Sequence, residues 1–491
     1  MRKYSLIILL IACSFRLHAW EIWPLPFDAE IDIQRDTLHY GLSTDAVIGN
    51  AFWLNANTAG DVPQTKYSGI LSLYAYKPAA RLHRWWDYSF GIQINGRAQS
   101  TGAYSDLIIN TTDKHVTAYF QQLYAHFRLY ILDFTAGIKP LSTTYGNKAL
   151  SMGSLLFSDN AHPMPRLTVG IDKWTPFPLT FGFVEIRGGI THIWATTYPK
   201  QPSWAEPTSS YFIHHKFIGG RIGGELPLRI SYEFHHAAQW GGISPVYGDL
   251  GNNIKTFGNI FLGKSGGSSA VESNNMQGNH LCMQQLAFDL NLDILRISTY
   301  WQVLQEDGPI RFMGTTMNKK DGLWGVSISQ YYWPNVFQTI TYEFLNTTDQ
   351  SGPLHDIDGF IFGGRDDYYS HAIYRQGWTY LGRTIGNPLL TPYNNRVKAH
   401  HVGILGNIFT YQYRFLFTHT RYFQPYSEDL SFNKSKEIAY RQTSIMLEVK
   451  KKIPQAYGIT ISAAIAADFY PEHKANVGGR ITICKTFDFQ Y

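Results

Sequence analysis

The sequence predicts an all-β fold: a transmembrane antiparallel β-barrel of about eighteen strands, with sixteen as the alternative, even numbers being the rule. Three observations predict it. The C-terminal strand alternates between apolar and polar residues and ends on an aromatic one. The N-terminus carries an export signal, and no later segment has the roughly 18 uncharged apolar residues of a spanning helix. Aromatic residues make up 15% of the chain, a supply suited to the girdles that barrels place at both membrane interfaces.

In the C-terminal strand, Ile481, Ile483, Phe487, Phe489 and Tyr491 share one face, and Thr482, Cys484, Thr486, Asp488 and Gln490 the other. Successive strand side chains point to opposite sides, so lipid solvates the first set and the lumen receives the second. The pattern recurs in Trp86, Tyr88, Phe90, Ile92 and Ile94, in Leu228, Ile230, Tyr232 and Phe234, and in Phe409, Tyr411, Tyr413, Phe415 and Phe417, with Leu416 the exception. None of the three recurring faces carries a charge, and in the C-terminal strand Lys485 is the one interruption of the apolar set. Arg or Lys at the bilayer midplane costs about 2–4 kcal/mol, which explains the exclusion.

Arg2 and Lys3, the apolar run Leu6–Ala12 and the triplet Leu17-His18-Ala19 form a signal peptide over residues 1–19, cleaved before Trp20. Residues 20–50 are expected to form a short periplasmic segment, and 51–491 the barrel. Of 42 Lys and Arg residues, three precede Trp20, so 39 face 37 Asp and Glu in the remainder. No basic surplus calls for a nucleic acid. Cys282 and Cys484 read as two unpaired thiols in strands, since one possible pair is no disulfide framework.

Counting back from the C-terminus, strands are expected at 478–491, 457–470, 438–450, 408–419, 397–405, 336–345, 325–332 and 295–303. Short turns then fall on one side, at Gly406-Asn407, around Trp333-Pro334-Asn335 and near Asp293. The long loops 305–324, 346–396 and 420–437 fall on the other, so these polar loops should face outside the cell. Further strands are expected at 67–77, 86–98, 115–129, 131–139, 166–172, 179–195, 211–222 and 227–236.

Several motifs suggest chemistry and then lose it. Gly258–Ser265 matches the phosphate-loop formula, but Gly251–Lys255 before it and Gly266–Ser269 after it read as a flexible loop, not a strand and a helix. A nucleotide partner is therefore not expected. The pairs His214-His215, His235-His236 and His400-His401 cannot chelate one metal from one strand, because neighbours face opposite sides; one lumen and one interface histidine is the simpler reading. Asp349, Asp356, Asp358, Asp366 and Asp367 crowd the longest loop. Asp356-Ile357-Asp358-Gly359 holds only half of a calcium loop, so solvated loop acids are expected, with no metal or other cofactor. No nucleophile elbow marks out a serine.

A series of unusual polar motifs carries more information. Phe52-Trp53-Leu54-Asn55, Leu150–Ser154, Ser158–Pro165, Gln239–Gly242 and Gly278–Leu281 precede Glu306-Asp307-Gly308 and Asp321–Gly325. Tyr342–Leu345, Asn346–Pro353, Asp367-Tyr368-Tyr369, Gly377–Tyr380 and Gly386–Leu389 follow in order. This series resembles the capsule assembly Wzi family, in the form common among Bacteroidetes. The resemblance implies an eighteen-stranded outer-membrane barrel whose lumen is blocked by its own loops. It also implies a lectin-like, non-enzymatic anchor for capsular polysaccharide.

Residue chemistry agrees, because aromatic faces cover sugar C–H faces while carboxylates, amides and guanidinium forks satisfy hydroxyls. The predicted external loops supply Trp324, Tyr368, Tyr369 and Trp378 beside Asp321, Asp349, Gln350, Asp367, Arg375 and Asn387. The competing reading is that these residues tie the loops to one another. The expected partners are capsular or extracellular polysaccharide and outer-membrane lipid, bound by a monomer. The alternative function is an outer-membrane channel for polysaccharide or small solutes, because eighteen strands enclose room for a water-filled pore.

Overall fold

A computed structural model describes residues 37–79, 85–100, 116–195, 207–266, 276–306, 320–331, 336–350, 367–424 and 437–490, with four short strand pieces between them. Eighteen strands form one sheet. They are β1 Thr37–Ile48, β2 Tyr67–Lys77, β3 Trp86–Gln99, β4 Val116–Leu129, β5 Leu132–Ile138 and β6 Pro165–Pro176. Next come β7 Val184–Trp194, β8 Phe212–Ile222, β9 Leu228–Trp240, β10 Asn279–Asn291, β11 Leu295–Glu306 and β12 Gly322–Gln330. Then follow β13 Thr339–Asn346, β14 Val397–Ile408, β15 Tyr411–Phe423, β16 Ile438–Ile453, β17 Ile459–Phe469 and β18 Asn476–Gln490. Each strand pairs antiparallel with the next. β1 then pairs with β18, from Thr37 opposite Gln490 to Ile48 opposite Gly479, and closes the barrel. Closure leaves no sheet edge, the condition for a strand structure to span lipid.

The expected alternation decides which side chain faces where. In β3, Asp87, Ser89, Gln93 and Asn95 are buried inside, while Trp86, Phe90 and Ile94 stand exposed outside. The outer surface carries a belt of exposed apolar side chains that includes Leu73, Phe120, Ile340, Leu447, Ile465, Ile481 and Phe487. So large an apolar surface is not left facing water in a monomeric soluble protein. Inside, ion pairs line the wall: Arg414 and Arg480 on Glu448, Arg128 on Asp133, and Arg187 on Glu233.

The short and long connections segregate as expected, with three corrections. Residues 37–48, placed before the barrel in the sequence reading, are barrel strand β1; residues 1–36 lie outside the described residues. β10 was not foreseen. The β14–β15 turn is Phe409-Thr410, not Gly406-Asn407, since Ile408 pairs with Tyr411. Gly406 serves another purpose: a Cβ there would strike the Val336 carbonyl oxygen, so it lets two backbones approach. The turn at Leu292–Ile294 lies where Asp293 predicted it, and Trp333-Pro334-Asn335 fall outside the described residues.

Three long connections, 49–66, 139–164 and 347–396 (the last over residues 347–350 and 367–396), pack against lumen-facing wall residues instead of standing clear of the barrel. The first contains helix α1, Phe52–Asn55, whose buried Trp53 donates from Nε1 to Thr418 Oγ1 at 3.0 Å. With the wall these segments build the main apolar core, including Leu150, Met152, Leu156, Tyr369, Trp378 and Leu390. The connection between β9 and β10 differs, and carries helix α2, Ile254–Leu262.

Candidate functional site

The inner segments converge on polar groups that the wall strands aim inward. Glu343 of β13 is fully buried; it accepts from Ser151 Oγ at 2.7 Å, from the Met152 amide at 2.6 Å, and from the Tyr300 hydroxyl of β11. Gln302 of β11 accepts from Ser154 Oγ at 3.0 Å and from the Leu155 amide at 3.2 Å. The Leu150 carbonyl lies 2.7 Å from Nε2 of His401 on β14. The stretch 150–155 is thus held by three separate strands.

The second inner segment closes over the first. Trp378 donates from Nε1 to the Leu156 carbonyl at 2.8 Å and meets the Phe157 ring edge-on at 5.6 Å. Asn387 donates to the Gly153 carbonyl at 2.6 Å, and its own amide donates to the Tyr369 hydroxyl at 3.1 Å. The Tyr369 hydroxyl in turn donates to the Leu155 carbonyl. Arg383 joins this segment to the first connection by donating to the Asn55 carbonyl at 2.8 Å and to that of Val62. Asp61 anchors that connection to the wall, accepting from Asn95 at 2.6 Å and Tyr119 at 2.7 Å.

Nine of the ten sequence-predicted residues fall in or beside this assembly. Asp321, Gln350, Tyr368, Tyr369, Trp378 and Asn387 are buried and engaged with other protein groups. Gln350 donates to the carbonyl and side-chain oxygens of Asn395 and accepts from the Tyr368 amide, and the Tyr368 hydroxyl donates to the Leu304 carbonyl at 3.1 Å. These six are connectors between loops and wall. Asp349, Asp367 and Arg375 are only half-buried. Trp324 stands apart. It lies on the outer face of β12 and stacks between Trp301 and Phe344 at 6.4 and 5.6 Å, in an aromatic row facing lipid. Its strand parity, opposite to that of Leu323 and Gly325, puts it there.

Burial dominates the electrostatics of the loops. It pushes the Asp321 carboxyl up to about 8 and raises that of Asp367, while it lowers His371 to about 4 and His162 to about 4. Arg383 falls to about 10 for the same reason. A pocket remains between β5, β6 and the stretch 157–164, where Lys139, Arg166, Asp159 and His162 present charged and polar atoms beside Phe157 and Met164. The pocket is small, with room for about one water molecule. Among the described residues no group of three or more His, Cys, Asp or Glu is placed to hold a metal ion. The side chains of Asp356, Asp358 and Asp366 lie outside the described residues.

The histidine pairs split across the wall as the parity argument requires. His215, His235 and His401 face in, while His214, His236 and His400 face out. His214 and His236 are nevertheless buried, covered by α2. The phosphate-loop formula also lands on α2. Residues 258–262 are its second half, not a flexible loop, and Gly263 ends it, so the helix precedes the place where phosphate chemistry needs it to begin.

Glu343, Ser151, Ser154, Gln302 and Arg383 were not singled out from sequence as site residues. Glu343 had one signal, a lone carboxylate at an inward position of a strand whose other inward positions are uncharged.

The fold defines an outer-membrane type of β-barrel. No protein-family model and no curated protein matches the chain. Among solved structures it is similar to Wzi of Escherichia coli, described as an outer membrane protein involved in group 1 capsule assembly and a carbohydrate-binding β-barrel. That match has a TM-score of 0.52 and 13% identity over 94% of this chain and 85% of that one. OccK9 (OpdG) of Pseudomonas aeruginosa matches with a TM-score of 0.47 and 9% identity, over 94% of this chain and 100% of the other. OprD from the same organism matches at 0.45 and 10%, over 95% and 98%. At such identities the likeness to Wzi is one of fold.

Proposed function

We propose that this chain is a non-catalytic, lectin-like outer-membrane protein that attaches or helps assemble capsular or extracellular polysaccharide at the cell surface. In this reading it is exported through a cleaved signal peptide, acts as a monomer, and has its lumen occluded by its own inner segments. One observation carries the proposal. The inner segments hydrogen-bond to each other and to inward wall residues on β4, β11, β13, β14 and β15, which favours a fixed interior over a lined passage. The fold shared with a carbohydrate-binding barrel supports the choice of ligand class.

In this reading the half-buried Asp349, Asp367 and Arg375 meet sugar hydroxyls, and the six buried residues hold their loops in place. The test pairs two measurements. Purified protein should retain capsular polysaccharide on a glycan column, and the triple change Asp349→Ala, Asp367→Ala, Arg375→Ala should weaken retention with the barrel still folded. In planar bilayers the native protein should be silent. A large steady current would favour the channel instead, and normal cell-attached capsule in a clean deletion strain would overturn the anchoring role.

A further inference from the structure

The connection from β9 to β10 differs from the inner segments over residues 253–263. It lays α2 against the outside of the wall, over outward-facing residues of three adjacent strands. Ile260 packs with Ala238 and Trp240 of β9, and Phe257 and Phe261 cover His214 of β8. Lys216 donates to the Phe261 carbonyl and sits 3.9 Å from the centre of that ring. Beneath the same helix lie His236, His280 and Cys282, all buried. Both helix ends are closed: Asn253 accepts from the Thr256 amide at 3.0 Å, and Gly263, at φ 63°, lets the Lys264 amide donate to the Asn259 carbonyl at 2.9 Å.

The opposite face is the unusual one. At about 100° per residue, Ile254, Gly258 and Leu262 form a stripe on the side away from Ile260. Ile254 is 84% exposed and Leu262 53%. A helix with apolar residues on both faces needs cover on both. Position suggests the cover. Going outward along β9, the belt residues Leu228, Ile230, Tyr232 and Phe234 precede His236. Eight residues at about 3.3 Å each, tilted about 40°, put His236 about 20 Å up a belt about 25 Å tall. The helix therefore lies at the outer edge of the lipid belt. Residues 250–266 contain Lys255 and Lys264, both exposed, and no Asp or Glu.

We propose that α2 is an outer-leaflet lipid-binding element. The Ile254–Gly258–Leu262 stripe meets acyl chains, and Lys255 and Lys264 approach the phosphates of anionic headgroups. The helix also keeps Lys216 and three histidines away from hydrocarbon. This role is independent of any sugar ligand. A protein partner could cover the same stripe, but continuity with the belt and the two lysines favour lipid.

The test uses the full-length protein with Ile254→Cys in a Cys484→Ser background, nitroxide-labelled and reconstituted in phosphatidylcholine vesicles with or without phosphatidylglycerol. Heat-modifiable migration checks that the barrel is closed. Collisions with oxygen should exceed those with a water-soluble nickel chelate. Phosphatidylglycerol should deepen the label, and Lys255→Gln with Lys264→Gln should abolish that gain. Leu262→Cys supplies the same reading if the first variant does not fold. Nickel-dominated collisions in both vesicle types would overturn the proposal. So would protection that appears only in native outer membranes containing other proteins, which would mark a protein partner.

Discussion

Replacing Glu343 with Ala removes the acceptor shared by the Ser151 hydroxyl, the Met152 amide and the Tyr300 hydroxyl. Each buried donor left without a partner costs about 1–3 kcal/mol. The two hydroxyls can turn toward other acceptors; the Met152 amide cannot. The loss should therefore be about 3–6 kcal/mol, concentrated on the stretch that Glu343 holds. That energy translates into about 10²–10⁴-fold faster local opening. Hydrogen exchange read by mass spectrometry on peptides covering residues 147–158 would measure it directly, with wall-strand peptides as internal controls. Glu343→Gln keeps one acceptor oxygen and should speed exchange far less. If the Ala variant exchanged these amides within about threefold of the native rate, Glu343 would not be what secures the inner segment.

Four further outcomes are expected. The Asp321 carboxyl, pushed up to about 8 by burial against an unfolded value near 3.8, binds a proton in the folded protein that the unfolded chain has already lost. Stability should therefore be greatest below about pH 4, fall as the pH rises toward 8, and level off above; Asp321→Asn should flatten this slope in thermal melts. Trp378→Ala empties a fully buried site and should cost about 3–5 kcal/mol. Trp324→Ala, on the lipid-facing row, should cost about 0.5–1.5 kcal/mol per stacked pair lost and leave glycan retention unchanged, as heat-modifiable migration and the column would show. Glu448→Ala leaves Arg414 and Arg480 facing each other without their shared carboxylate and should cost about 3–5 kcal/mol, read as a lower temperature of barrel opening.

How much of this was legible in the chain depends on what solvates each face. Where lipid and lumen contrast cleanly, as in β3, β15 and β18, alternation names the strand and its phase. β10 escaped because the outward residues of its first half, His280, Cys282 and Gln284, are polar while the inward Leu281 and Met283 are apolar, two of the outward set sitting under α2 instead of in lipid; the lipid–lumen contrast holds only over Leu286, Phe288 and Leu290. β1 escaped because Thr44 and Ala46 weaken its apolar face. The loop assembly was half legible. The sequence pointed to Gln350, Tyr369, Trp378 and Asn387, but their partners lie elsewhere in the chain, Leu156 for Trp378 and Gly153 for Asn387, separated by 222 and 234 positions. No local pattern records a bond over that distance, so nothing in the sequence distinguished a connector from a sugar contact.

The seam between β1 and β18 has a consequence for assembly. Asp45 and Thr482 are hydrogen-bonded neighbours, yet 437 positions separate them. The cylinder cannot zip shut until both ends of the polypeptide are present, and such remote pairing makes the final step slow. Until then two raw margins would invite mispairing with other chains. Maturation of this molecule should accordingly depend on a chaperone that shelters those margins, and truncating either one should leave sticky open sheets instead of a smaller ring.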